Sequence, residues 1–214
     1  MEIERRDFAF EDEQELIVES RADGRAAIIG YAAVYNRLSL DLGGFREEIL
    51  PGAFDKILTR QRGRQDVVAL FNHDSNIVLG RTSSGTLELS SDEKGLRYVV
   101  TPPVSRGDVM ELIQRRDVRG SSFAFTVDKS GEGFRQGDDG KAVRQIREVS
   151  GLYDVGPVLV PAYPATSASV AMRSYEAWLA LQSQPEPEAV AVKVAKRSLI
   201  RDAATAAALR LRRV

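Results

Sequence analysis

Arg119-Gly120-Ser121-Ser122-Phe123-Ala124-Phe125-Thr126-Val127 reads as a β-strand, and the reading recurs along the chain. In a strand alternate side chains face opposite ways, so Ser121 lies with Phe123, Phe125 and Val127, and Ser122 lies with Ala124 and Thr126. Similar apolar or alternating runs occupy residues 16–19, 26–35, 67–71, 86–90, 96–101, 143–149 and 152–160. Turn formers such as Ala22-Asp23-Gly24, Asp41-Leu42-Gly43-Gly44 and Glu93-Lys94-Gly95 separate many of them. Many short strands imply a barrel or a sandwich. Two helices interrupt them. One covers 51–60, with Pro51 suited to the first helical turn, and one covers 106–116, with Ser105 as its N-cap. The fold class is therefore α+β, with a β-rich core and helices packed around it.

Residues 131–141, Gly-Glu-Gly-Phe-Arg-Gln-Gly-Asp-Asp-Gly-Lys, are too polar and glycine-rich for a core and read as a long hairpin tip. They lack the spacing and the Ser or Thr of a phosphate loop. Residues 175–181 have helical character, after which Gln184-Pro185-Glu186-Pro187-Glu188 breaks the chain like a linker. The organisation expected is one domain over 1–182, a linker over 183–197 and a basic, alanine-rich helical tail over 198–214. The chain has 214 residues, 43% of them hydrophobic, enough for a core without staples. A net charge of -1 gives no global reason to expect nucleic acid, although the first residues are acidic and the last basic. The opening residues lack the basic start and apolar stretch of a signal peptide, and no run approaches the roughly 18 apolar residues that span a membrane. A soluble intracellular protein without membrane association is expected. With no cysteine, disulfides and zinc–thiolate sites are excluded, and a single histidine argues against a histidine-based metal site. No cofactor is expected.

The one histidine, His73, sits in Phe71-Asn72-His73-Asp74. No other side chain has an ordinary pKa suited to a general base at neutral pH, so imidazole-assisted chemistry would pass through His73. Serine is then the natural nucleophile, cysteine being absent. Ser122 lies on the less apolar face of its strand, among small neighbours, but that pattern alone does not nominate it. The plainer alternatives are a turn histidine between Asn and Asp, and a strand serine bonded to nearby backbone. In Leu152-Tyr153-Asp154-Val155-Gly156-Pro157-Val158-Leu159-Val160, Asp154 is a carboxylate in an apolar run, costly to bury without a partner such as a histidine N–H. Glu148 competes for that role but follows Arg144, Gln145 and Arg147 in a charged stretch, which reads as a solvated face.

Asn72-His73-Asp74, Gly120-Ser121-Ser122-Phe123-Ala124-Phe125, and Leu152-Tyr153-Asp154-Val155-Gly156 followed by Pro161-Ala162-Tyr163-Pro164 resemble, in that order and spacing, the prohead maturation proteases of tailed bacteriophages. The resemblance runs from about residue 26 to 172 and includes Gly30-Tyr31-Ala32 and Ile49-Leu50-Pro51-Gly52-Ala53-Phe54. It implies the fold of herpesvirus assemblin, a closed β-barrel with surrounding helices. It also implies Ser122 as nucleophile, His73 as base and later acid, and Asp154 as the group fixing the imidazole tautomer, where assemblin has a second histidine. Assemblin's oxyanion arginines are matched by Val160-Pro161-Ala162-Tyr163-Pro164; the prolines lack an N–H, so Ala162 or Tyr163 would be the donor. The implied activity is that of a serine endopeptidase working in the bacterial host cytoplasm, inside the assembling procapsid. Its partners would be the scaffold protein or the scaffold-like part of the major capsid protein, and a homodimer is implied by the resemblance alone. Two other classes compete: a non-catalytic capsid-assembly protein on the same barrel, and a β-rich binding module docking through its basic tail. A Ser122 hydroxyl within about 4 Å of the His73 ring separates the enzyme from both.

Overall fold

Twelve strands and three helices make up the computed structural model, which describes residues 2–9, 16–21, 24–60, 66–159 and 169–182. The first half holds β1 (Glu4–Ala9), β2 (Leu16–Ser20), β3 (Ala26–Val34), β4 (Phe45–Ile49), α1 (Asp55–Arg60), β5 (Val68–Leu70), β6 (Val78–Arg81), β7 (Leu87–Ser91) and β8 (Gly95–Val100). Then follow α2 (Gly107–Gln114), β9 (Gly120–Thr126), β10 (Glu132–Gln136), β11 (Ala142–Ile146), β12 (Gly151–Val158) and α3 (Ser169–Gln182). Each of the eight apolar runs forms a strand, within three residues at its ends.

Among the described residues the strands do not close into one barrel. They form open sheets in the orders β1-β9-β12-β5-β6, β2-β3-β8-β7 and β10-β11-β4. The reason lies at the outer edge of β9, whose backbone groups are satisfied by β1 through six antiparallel residue pairs from Glu4↔Phe125 to Ala9↔Gly120. That edge is therefore closed to the second sheet, and β3 lies against β9 through side chains instead. The core between the sheets is one continuous apolar cluster, including Ile28, Phe54, Leu79, Leu96, Val100, Phe123, Phe125, Leu152 and Val155. Burying side chains of this size contributes about 1.5–3 kcal/mol each.

β1 (Glu-Arg-Arg-Asp-Phe-Ala) and β4 (Phe-Arg-Glu-Glu-Ile) carry too much charge to read as core strands. Their charges are buried as pairs. Arg144 of β11 reaches Glu4 and Glu47 at 2.7 Å each and Glu132 at 2.5 Å, while Arg6 reaches Glu4 at 2.7 Å and both Glu47 oxygens at 2.7 and 2.9 Å. Burial alone would push the Glu47 carboxyl upward in pKa, but Arg6 and Arg144 outweigh it and hold it below the ordinary value. Removing one member of such a cluster costs about 3–5 kcal/mol, because the others stay buried without their partner.

Local geometry corrects four further expectations. Gly52 has φ +85°, a left-handed conformation no helix contains, so 51–54 is a turn and α1 begins at Asp55. Ser105 lies inside a 3₁₀ turn (Val104–Arg106) rather than capping α2, whose N-cap position is Arg106 with no side-chain cap. The hairpin over 131–141 is more ordered than its composition suggests: Glu132–Gln136 pairs with β11, leaving a tip of 137–141. α3 exceeds the expected 175–181 at both ends. The chain divides into a unit over 1–176 and a second over 177–214, of which 177–182 is described. The expected linker and basic tail, 183–214, lie outside the described residues. No helix among the described residues is long and apolar enough to cross a membrane.

Candidate active site

Ser122 stands in the middle of β9, a strand buried along its whole length. As strand alternation requires, its neighbour Ser121 faces the other way, where its hydroxyl pairs with the buried Tyr98 hydroxyl at 2.9 Å. Ser122 is 0% exposed.

His73 is delivered by the turn after β5. Asn72 and His73 both have positive φ, +53° and +57°, and the Asp74 N–H donates to the Phe71 carbonyl at 3.0 Å. Two successive left-handed non-glycine residues are strained, although asparagine tolerates this region better than most. Asn72 also supplies the compensation. Its N–H donates to the Pro157 carbonyl at 3.1 Å, and its side-chain oxygen accepts the Leu159 N–H at 2.8 Å, tying the turn to the end of β12.

Asp154 reaches the same face through a bulge. β12 pairs Leu152 with Phe125 but Asp154 with Ala124, so Tyr153 is the extra residue. Residues two apart would otherwise share a face, and Asp154 would follow Leu152 into the core. The bulge turns it to the side of Ser122. Gly156, opposite Ser122 in the ladder, has φ +154°, and a Cβ there would lie 2.0 Å from the Leu70 carbonyl oxygen. This close approach sets β5, and hence the His73 turn, against β12.

The three side chains form one relay. His73 Nδ1 is 2.6 Å from Asp154 Oδ1, and His73 Nε2 is 2.5 Å from Ser122 Oγ. The carboxylate makes Nδ1 the protonated nitrogen, which in the neutral ring leaves Nε2 free to accept from serine. A second carboxylate approaches: Asp7 Oδ1 of β1 lies 3.4 Å from Nε2. Burial pushes the imidazole pKa down, but hydrogen bonds and charge from Asp154 and Asp7 outweigh it and raise it to about 9. The Arg6 carbonyl, 3.0 Å from Ser122 Oγ, accepts the hydroxyl proton instead when the ring is an imidazolium and its Nε2–H donates to Oγ.

A matching family model covers residues 14–180 and describes the Caudovirus prohead serine protease. The chain belongs to that family. No curated protein and no solved structure matches it. Membership makes the chain a serine protease of the phage prohead, a family that acts in capsid maturation. The match leaves β1 outside, so Asp7 and Arg6 lie beyond the part of the chain that the prohead protease family describes.

Of the residues singled out in sequence, His73, Ser122 and Asp154 meet. Glu148 does not: it forms an exposed pair with Lys56. Ala162 and Tyr163 lie outside the described residues. Sequence reasoning missed Asp7 and the anchoring role of Asn72. Only the Asn-His pair, suited to a left-handed turn, carried a signal for the latter. Among the described residues no group of three or more His, Asp or Glu could hold a metal ion.

Proposed function

We propose that the chain is a procapsid-maturation endopeptidase in which Ser122 is the nucleophile, His73 the base and then acid, and Asp154 the orienting group. It would digest scaffold protein or the scaffold-like segment of the major capsid protein, inside the procapsid assembling in the host cytoplasm. The relay from Ser122 Oγ through His73 to Asp154, at 2.5 and 2.6 Å, carries this reading. It is also what favours an enzyme over a non-catalytic assembly protein, which has no use for an aligned nucleophile and base.

In the first step Oγ bonds to the scissile carbonyl carbon while its proton passes to Nε2. The tetrahedral adduct then collapses, the C–N bond breaks, and the Nε2 proton goes to the departing amine. Water repeats the sequence on the acyl-enzyme, giving up a proton to Nε2 and releasing the carboxylic acid as that proton returns to Oγ. Asp154 stays ionised, holding Nδ1–H and stabilising each imidazolium. Backbone N–H groups of Ala162 or Tyr163 are our candidates for the oxyanion donors. Co-expression with the capsid protein of the same phage tests the proposal by mass: the intact enzyme should shorten it, and Ser122→Ala should leave it full length. Shortening by Ser122→Ala would refute the assignment.

A further inference from the structure

Ser122 is fully buried, and on the outer side of β9 it is covered by β1. Asp7 stands directly opposite Ser122 in the ladder, and the preceding Arg6 carbonyl accepts the Ser122 hydroxyl at 3.0 Å. A peptide carbonyl of the chain itself thus occupies the hydroxyl's reach. The other edge of β9 is taken by β12. An extended substrate adding to the nucleophile's strand has one place to go, the place β1 holds.

The side chains of β1 divide by face. Asp7 turns toward His73, and Arg6 turns the other way, its guanidinium forked on the two Glu47 oxygens at 2.7 and 2.9 Å and 5.5 Å from the centre of the Phe125 ring. Taking β1 away removes Glu4 and Arg6 together. Glu47 then keeps Arg144 but loses the guanidinium fork on its two oxygens, with a ring face beside the vacated place.

We propose that β1 is a displaceable pseudo-substrate strand: peptide substrates enter antiparallel to β9 in its place, and the residue on the acyl side of the cut is arginine, received by Glu47. This rests on Ser122 and His73 acting as nucleophile and base. Arginine restores the fork on the two Glu47 oxygens that Arg6 of β1 provided. An apolar or acidic residue would leave Glu47 buried with half its partners, a penalty that corresponds to discrimination of about a hundred-fold or more. The same arrangement would keep β1 from being cut. Asp7 favours the imidazolium, whose Nε2–H donates to Ser122 Oγ while the hydroxyl donates to the Arg6 carbonyl, and in that state the ring cannot take the serine proton. A substrate strand without a carboxylate opposite Ser122 lifts that block.

The test uses the full chain and a fluorophosphonate probe, which phosphonylates an activated serine whatever the peptide specificity, with the adduct located by mass. Arg6→Ala should label at Ser122 about ten-fold faster than the unaltered protein, and Arg6→Lys, which keeps the charge but not the fork, by a smaller factor. A synthetic peptide of residues 2–9 should slow labelling of Arg6→Ala, and the same peptide with alanine at the Arg6 position should not. In a panel of quenched peptides, arginine before the cut should be preferred about a hundred-fold over leucine, and Glu47→Gln should erase most of that preference. Labelling no faster in Arg6→Ala, with cooperative unfolding retained, overturns the strand's role; should Arg6→Ala not fold, unchanged labelling in Arg6→Lys does so. A Ser122 labelled in every variant but without arginine preference overturns the substrate class. A Ser122 that never labels instead overturns the serine-protease assignment on which both rest.

Discussion

The titration of His73 is the most direct measure of the site, because the chain's one histidine gives one imidazole signal by NMR. Its midpoint is expected near pH 9, against an ordinary 6.5. That difference corresponds to about 3 kcal/mol of interaction favouring the imidazolium in the folded protein. The folded-state pKa is the raised one, so this stabilisation is fully present below pH 6.5 and is lost as pH rises through about 9. Two carboxylates oppose burial: Asp154 at 2.6 Å and Asp7 at 3.4 Å. Asp154→Asn removes the closer one, and the midpoint should fall by about two pH units, since burial is then opposed by Asp7 alone. Turnover should fall with it by roughly a thousand-fold or more, an amide being able to hold the ring in the wrong tautomer. In the unaltered enzyme kcat/KM should rise along the same curve as the NMR signal, because the free enzyme's base is the titrating group. A midpoint at 6.5 in the unaltered protein, or one untouched by Asp154→Asn, would show that the relay does not exist in solution.

Ser122→Ala should abolish peptide cleavage with little loss of stability. Ser121→Ala should keep cleavage but lower stability by about 1–3 kcal/mol in denaturant melts, since the buried Tyr98 hydroxyl loses its partner. Glu148→Gln should leave kcat/KM within about two-fold and stability within about 1 kcal/mol, as its pair with Lys56 is exposed. Gly156→Ala should destabilise by more than about 4 kcal/mol or prevent folding, judged by circular dichroism, since the added Cβ meets the Leu70 oxygen at 2.0 Å.

His73 and Asp154 were legible on local grounds, as a solitary imidazole and a carboxylate in an apolar run, whereas Ser122 stood out only through the family resemblance of its strand. Strand alternation also separated Ser122 from Ser121 correctly. The bulge at Tyr153 was not legible, although without it Asp154 would face the core beside Leu152. β1 and β4 escaped notice because their burial is purchased with ion pairs rather than apolar surface, and the partners, Glu4 with Arg144 and Arg6 with Glu47, lie 140 and 41 residues apart. A local pattern cannot announce so distant a partner. The open sheets follow from the same cause, since it was β1 that closed the outer edge of β9.

The relay's members are spread over the chain, with His73 and Asp154 separated by 81 positions and Ser122 between them. A growing chain adds about 5–20 residues each second, so roughly 4–16 seconds pass on the ribosome between the making of His73 and the making of Asp154. For the first part of that interval the polypeptide has the imidazole without Ser122, for the rest it has both with nothing to align them, and the bulged strand that completes the set is among the last parts of the β framework to be synthesised. On the proposed assignment, proteolytic competence therefore arrives late and all at once, and a translation product ending before residue 154 lacks the complete relay.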